Sequence, residues 1–462
     1  MSVFKAYDIR GLAHSELDAE FAERLGKALV THLDANTVAV ASDIRASGPE
    51  LHTAFLKGLT DSGADVLDLG ITTTGVLYRA TVDLPVDASV VITASHNPPE
   101  YNGFKICNGS LPMAGNELQK LKETFDKDIF RKGNGTVKKL ADFENEYLQI
   151  IVDNAGIPQR NMRIAIDCGN AVPGPLTIKL MEKLGVELIP VHCDWDNKFP
   201  NHPPDPTRPE NMKDLAKAVI DNNAEFGIGM DGDGDRIGVV DESGKFIHPD
   251  RLMTIFVKDI LGEREGGTDS ERTVFFDVKC SMALEDSITS SGGIPVMVRT
   301  GHSFMKRELR NNPDSPLAGE MSGHFFLNDR WPGFDDSLYN TARLLEIIAR
   351  EPAPDNGGPR FSDWFADLPN YESTGEAKVP LEGDREFTME MVANVFSDMQ
   401  KATVDGIRVR YPDGWFLCRP SNTEPILVMR AEATSRQGLM KIKEDVDERL
   451  GSFLNLKKFH ES

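Results

Sequence analysis

Short apolar, β-branched runs alternate with longer amphipathic stretches along most of this chain. Thr37–Asp43, Ala64–Gly70 and Ser89–Thr93 read as strands around a helix at Glu50–Ser62. The order returns as Arg163–Asp167, a helix at Pro175–Leu184, Val186–His192 and Phe226–Met230. It returns again as Thr273–Asp277, a helix at Met282–Ser290, Ile294–Val298 and Pro316–Gly319. Strands separated by helical stretches of this length imply βαβ units and a mostly parallel sheet. Each set opens with a strand ending in an aspartate, at Asp43, Asp167 and Asp277. The pattern repeats although residue identities do not, which predicts three similar βα domains. From about residue 365 the rhythm changes to a helix at Phe387–Gln400, strands at Val404–Arg410, Gly414–Cys418 and Pro425–Arg430, and a helix at Ser435–Leu450. That predicts a smaller α+β domain, behind a Pro- and Gly-rich linker at Glu351–Arg360.

With 462 residues and 40% hydrophobic content, the chain has apolar mass for several cores, hence three or four domains. No apolar run approaches the ~18 residues that span a membrane, and Met1–Asp8 lacks the pattern of a secretory signal. Five cysteines without CxxC pairing suit reduced, buried thiols and a cytoplasmic location better than disulfides or a zinc site. A net charge of −22 argues against a nucleic-acid partner and requires a locally basic pocket for any anionic substrate.

The candidate chemistry lies in the loop after the third strand of each set. The first is Thr93-Ala-Ser95-His96-Asn97-Pro98, which breaks the ladder and is expected to present Ser95 outward. The second, Asp231-Gly-Asp233-Gly-Asp235-Arg236, alternates carboxylates with glycines so that three can converge. Converging oxygens suit Mg²⁺ or Mn²⁺, and a phosphorylated Ser95 would be a natural fourth ligand. An EF-hand loop ending on Glu242 competes, but Arg236 stands at its glycine position and the flanks are strand-like. A solvated acidic turn is the remaining alternative. The third loop, Gly319-Glu320-Met321-Ser322-Gly323-His324, pairs a carboxylate with a hydroxyl, a combination suited to reading sugar hydroxyls. Arg419-Pro-Ser421-Asn422-Thr423-Glu-Pro425 offers a guanidinium and small polar donors for a phosphate, or a plain turn. Arg10, Lys105, Lys279, His302 and His324 are candidates for charge neutralisation or proton transfer.

These four loops, in this order, resemble the α-D-phosphohexomutase family. Tyr7-Asp-Ile-Arg10-Gly11 and Phe199-Pro-Asn-His-Pro203 extend the resemblance over essentially the whole chain. It implies four domains around a central active-site cleft, placed here at 1–146, 147–247, 248–364 and 365–462. It further implies a phosphohexomutase that interconverts hexose 6-phosphate and hexose 1-phosphate through a phosphoserine enzyme and a hexose 1,6-bisphosphate. The loop containing Met321 is similar to that of members acting on mannose and glucose phosphates. Glucosamine-specific members more often carry glutamine there. In this reading Ser95 carries the phosphoryl group and joins Asp231, Asp233 and Asp235 on Mg²⁺. Arg10, Lys105, Arg236, His302 and His324 assist catalysis. Tyr7, Lys279, Gly301, Glu320 and Ser322 bind the sugar, and Arg419, Ser421, Asn422 and Thr423 clamp the distal phosphate. Small sugar phosphates would be the only partners, with no nucleic acid or membrane, and the chain would be a monomer or weak homo-oligomer. One departure is Thr72-Thr-Thr-Gly75, where relatives commonly have Thr-Pro; we expect it to lie away from the four loops. Two other classes fit parts of the pattern: a metal-dependent sugar phosphatase and a non-catalytic calcium-binding module.

Overall fold

A computed structural model describes residues 3–264, 266–421 and 425–462. Its first sheet is built around Thr37–Ser42, with Asp65–Ile71 on one side and Ala88–Ile92 on the other, all parallel. The second sheet repeats this with Arg163–Asp167 between Glu187–Val191 and Gly227–Met230. The third repeats it with Thr273–Asp277 between Ile294–Val298 and Leu317–Gly319. In each, a further strand returns antiparallel beside the third: Tyr101–Asn108, Ile237–Val240 and Phe325–Leu327. The sequence reading takes Ile237–Val240 as strand-like and does not predict the other two return strands. The return strand makes each chemistry-bearing loop a hairpin connection, which fixes both ends of the loop to the sheet.

The last sheet is antiparallel throughout, running Glu372–Ser373, Ile426–Ala433, Gly414–Pro420, Ile407–Tyr411 and Lys401–Ala402, with Ala377–Pro380 also on Ile426–Ala433. Helices Arg385–Val395 and Arg436–Leu450 cover it. The helix expected to reach Gln400 ends at Val395, because Lys401 and Ala402 pair with Val409 and Arg408 instead. The strand expected from Val404 starts at Ile407, after Gly406 turns the chain with φ of +71°.

Three large apolar clusters hold the chain together. One fills the first domain around Leu25, Phe55 and Phe104, and another fills the last around Phe396 and Phe416. The third runs without a break through the second and third sheets, joining Phe226, Phe256, Phe276 and Tyr339. Helix Ser337–Ile348 threads it, touching helices Phe143–Ala155, Gly174–Leu184 and Pro249–Gly262. Burying one such aromatic side chain contributes about 1.5–3 kcal/mol, so this shared helix locks two domains into one frame. The C-terminal domain docks on the third through Trp415, whose ring lies 4.0 Å from the Arg408 guanidinium and 5.7 Å from that of Arg430. Those arginines donate to the carbonyls of Val278 (3.0 Å) and Lys279 (2.8 Å). All five cysteines are free and buried, and among the described residues no helix is long and apolar enough to cross a membrane.

Candidate active site

Ser95 sits at the first hairpin turn with φ of +51°, a conformation that non-glycine residues adopt at a steric cost. Buried hydrogen bonds hold it there. Its N–H donates to Thr93 Oγ1 (2.8 Å), and that hydroxyl donates to Asp43 Oδ2 (2.6 Å). The side chain is 1% exposed, so the expected outward presentation is corrected. Ser95 points across the domain boundary, with Oγ 2.7 Å from Asp231 Oδ2 and 3.1 Å from His96 Nδ1. Burial, together with the Arg236 charge, holds His96 well below its ordinary pKa.

The second hairpin turn brings Asp231, Asp233 and Asp235 together with no solvent exposure. Gly234, with φ of +76°, permits the curvature, and the N–H groups of Asp235 and Arg236 donate to Asp231 Oδ1 at 3.0 and 3.1 Å. One carboxylate oxygen from each aspartate lies within 4.8 Å of the others. Lys105 Nζ reaches Asp233 Oδ2 at 2.6 Å and Asp235 Oδ2 at 2.5 Å. Arg236 Nε stands 3.8 Å from Asp231 and 3.9 Å from Asp235. Burial and the charges of Asp235 and Asp233 hold the Asp231 carboxyl well above the usual range. Burial also presses Asp233 and Asp235 upward, but Lys105 outweighs it and both lie below the usual range. The EF-hand alternative fails because Glu242 is engaged elsewhere, accepting from Ser362 Oγ at 2.6 Å. The solvated turn fails on burial.

The third hairpin turn supplies Glu320 and His324. Glu320 accepts from the Gly301 N–H and, at 3.0 Å, from Ser322 Oγ. His324 Nδ1 lies 2.8 Å from Asp335 Oδ2 and 3.5 Å from Asp235 Oδ1. Its ring stacks on His302 with centroids 5.4 Å apart, and Tyr7 meets His302 edge-on at 5.5 Å. Behind them, Lys306 Nζ contacts Asp335 Oδ1 (2.7 Å), Tyr78 Oη (2.9 Å) and His302 Nδ1 (3.1 Å). Burial and the Lys306 charge keep His302 well below its ordinary pKa.

Arg10 joins the Ser95 loop by donating to Asn97 Oδ1 at 2.9 Å while pairing with Asp8 at 2.6 Å. Lys279 is 3.0 Å from Glu376 of the C-terminal domain. Burial presses the Lys279 pKa down, but Glu376 and Asp277 outweigh it and the pKa is raised. Arg419 Nε donates to Asp405 Oδ2 at 2.8 Å, and Asp405 also accepts the Thr300 N–H at 3.3 Å, tying this arginine to the third domain. Ser421 N–H closes the last hairpin on Ile426 O at 2.9 Å. Asn422 and Thr423 lie outside the described residues.

Thr72–Gly75 does not lie away from these loops. Thr74 Oγ1 donates to Asp233 Oδ2 at 2.7 Å, and the Thr74 N–H donates to the Asp233 carbonyl at 2.9 Å. Sequence reasoning also passed over Arg45, Lys306 and Asp335. Lys306 carried a usable signal, since it stands four residues after His302 on one helix face.

Four family descriptions match the chain in order. Phosphoglucomutase/phosphomannomutase alpha/beta/alpha domain I covers residues 1–132, domain II 143–244, domain III 248–369 and the C-terminal domain 376–449. The phosphomannomutase/phosphoglucomutase of Pseudomonas aeruginosa is 42% identical over 451 residues, covering 96% of this chain and 94% of that protein. A phosphoglucomutase of Neisseria meningitidis is 40% identical over 453 residues, covering 96% and 95%. The crystal structure of a phosphoglucomutase/phosphomannomutase family protein from Burkholderia thailandensis superposes with a TM-score of 0.89 at 39% identity, covering 98% of each chain.

Proposed function

The chain belongs to the phosphoglucomutase/phosphomannomutase family, and from that premise we propose that it interconverts hexose 6-phosphates and hexose 1-phosphates, mannose first and glucose second, with Ser95 as the phosphoryl carrier. It is a phosphotransferase of the isomerase type. One observation carries the assignment of Ser95: its hydroxyl, from the first domain, lies 2.7 Å from the first carboxylate of an acidic turn in the second.

The acidic turn fits a divalent cation. Its three carboxylates are buried, and Asp233 Oδ1 and Asp235 Oδ1 have no hydrogen-bond partner among the described residues. Asp231, Asp233, Asp235 and the Ser95 phosphate would hold Mg²⁺, and the ion when bound would supply positive charge against the phosphoryl oxygens. The rest falls to this chain's own side chains. Lys105, Arg236 and Arg10 neutralise charge around Ser95, since phosphoryl transfer depends mainly on positioning and electrostatics. The Ser95 phosphoryl group passes to the free hydroxyl of a hexose monophosphate, giving a 1,6-bisphosphate. His324, turned by Asp335, and its neighbour His302 are placed to take the proton that this hydroxyl gives up. The bisphosphate reorients, and its other phosphate returns to Ser95.

Glu320 and Ser322 read the ring hydroxyls, with Tyr7, Lys279 and Gly301 bordering the sugar. Arg419, Ser421, Asn422 and Thr423 receive whichever phosphate is distal. The domains are read as 1–146, 147–247, 248–364 and 365–462, each enclosing one of the four sheets. We read the chain as a monomer or weak homo-oligomer, and five free thiols support a cytoplasmic setting. The direct check supplies mannose 1-phosphate, glucose 1-phosphate and glucosamine 1-phosphate with Mg²⁺ and trace hexose 1,6-bisphosphate, monitored by phosphorus NMR. The first two should convert to 6-phosphates. Accumulation of inorganic phosphate would instead assign a phosphatase. Epimers differing at one hydroxyl are separated by only ~1–3 kcal/mol of contacts, so both should turn over.

A further inference from the structure

We propose that the second domain carries a separate binding site for a divalent cation of the zinc class, formed by Asp167, His192 and His202. Asp167 ends the central strand of the second sheet, and His192 comes directly after the neighbouring strand Glu187–Val191. His202 comes from the loop between that strand and the next helix. One ligand atom from each of the three lies within 4.8 Å of the others.

The hydrogen bonds around His202 call for positive charge beside Asp167. His202 Nδ1 lies 2.9 Å from the Pro203 carbonyl, which can only accept, so Nδ1 carries the hydrogen. The other nitrogen, Nε2, faces Asp167 Oδ2 at 3.0 Å. A neutral imidazole would set a lone pair against a carboxylate, so a positive charge belongs between them or on the ring. His192 is held differently. Its Nε2 is 3.0 Å from Asp214 Oδ2, while Nδ1 is 2.9 Å from the Asn201 side-chain nitrogen. Nε2 thus donates to a carboxylate, and the Nδ1 lone pair accepts from the Asn201 amide, which a cation bound at Nδ1 would displace. An imidazole whose far N–H is held by a carbonyl or carboxylate is the usual arrangement of a metal-ligating histidine. His192 also holds a left-handed φ of +47°, a cost that a binding role accounts for. Asp167 is buried and its Oδ1 accepts the Gly169 N–H at 2.8 Å, leaving Oδ2 to ligate. Two nitrogens and one oxygen with a fourth position open suit Zn²⁺, unlike the oxygen-only acidic turn.

The site is one strand removed from that turn and coupled to it by packing. Pro204 lies against both Gly169 and Gly232, and Gly232 lies against the Ser95 main chain. Cation binding would therefore brace the loop beneath the phosphoryl carrier.

Zn²⁺ titration of the full chain against a chromophoric chelator tests this by stoichiometry. Wild type should take up two equivalents, one at the acidic turn and one here. His192→Ala and His202→Ala should each take up one, and Asp231→Asn should retain the equivalent bound at the histidines. Co²⁺ in place of Zn²⁺ should give Asp231→Asn a visible spectrum of nitrogen ligation that His202→Ala abolishes. Melting curves in chelator should show both histidine variants folded. Two equivalents retained in the histidine variants, or a single wild-type equivalent lost in Asp231→Asn, overturns the proposal.

Discussion

Arg45 Nη2 donates to the main-chain carbonyl of Ser95 at 2.8 Å from a side chain with no exposed surface. The remaining donors reach Asp43 Oδ2 (3.1 Å) and the carbonyls of Asn97 (2.7 Å), Pro98 (2.6 Å) and Tyr101 (3.0 Å). Four of the five guanidinium hydrogens thus fix the Ser95 loop, and the fifth holds Asp43. Arg45→Ala leaves Asp43 buried without its partner, a loss of about 3–5 kcal/mol in stability. We predict a kcat fall of roughly ten- to a hundredfold, with KM changed far less. Added guanidinium should restore part of the kcat. A variant that melts early but keeps wild-type kcat at low temperature would show that Arg45 serves stability alone.

Lys105 spans Asp233 Oδ2 and Asp235 Oδ2, so its ammonium competes by charge with a cation seated on the unpartnered Oδ1 atoms. Lys105→Met should tighten Mg²⁺ binding in a calorimetric titration and lower kcat by about a hundredfold, because one stabilising charge is lost. Weaker Mg²⁺ binding in this variant would mean that the lysine organises the turn rather than competing for it.

Asp335 lies 2.8 Å from His324 Nδ1 and is held from behind by Lys306. Asp335→Asn keeps the shape but removes the charge that orients the ring. Proton transfer by a positioned group contributes roughly 10²–10⁴-fold, and kcat should fall by a factor in that range with KM little altered. An unchanged kcat would remove His324 from proton transfer.

Asp336 caps helix Ser337–Ile348, accepting from the N–H groups of Leu338 (3.1 Å) and Tyr339 (3.2 Å) and from Tyr147 Oη at 2.7 Å. Burial nevertheless pushes its pKa up to about 7 from an ordinary 3.8. The folded protein therefore binds this proton more tightly than the unfolded chain. The stability so gained is full below about pH 4 and is lost as the pH rises through about 7. Asp336→Asn keeps the cap and drops the titration, so scanning calorimetry should show its Tm gaining on wild type between about pH 4 and pH 8. A constant difference would place the carboxyl at an ordinary pKa.

The strands that open each set were legible because a β-branched run ending in aspartate is a local signal. Ser95 and the three aspartates were legible because the chemistry of each loop is compressed into a few consecutive residues. Of the return strands, Ile237–Val240 was legible as the strand-like flank of the acidic turn, whereas Phe325–Leu327 is three residues long and too short to show a period of its own. Arg45 and Thr74 were hidden for another reason. Each acts on a group far away in sequence or in another domain, and no spacing rule reaches across a fold. Thr74 is the clearest case, with 159 positions separating it from the carboxylate that it holds.

The central claim is that Ser95 carries the phosphoryl group. Its most direct measurement is intact-protein mass spectrometry with turnover assays on wild type and Ser95→Ala, given hexose 1,6-bisphosphate and Mg²⁺. Wild type should carry one phosphoryl group, localised to Ser95 by peptide mapping and lost on mixing with excess hexose monophosphate. Ser95→Ala should take up none and lose turnover by roughly a thousandfold or more. Full isomerising activity in Ser95→Ala, or a stable phosphoryl group on another residue, would contradict the account.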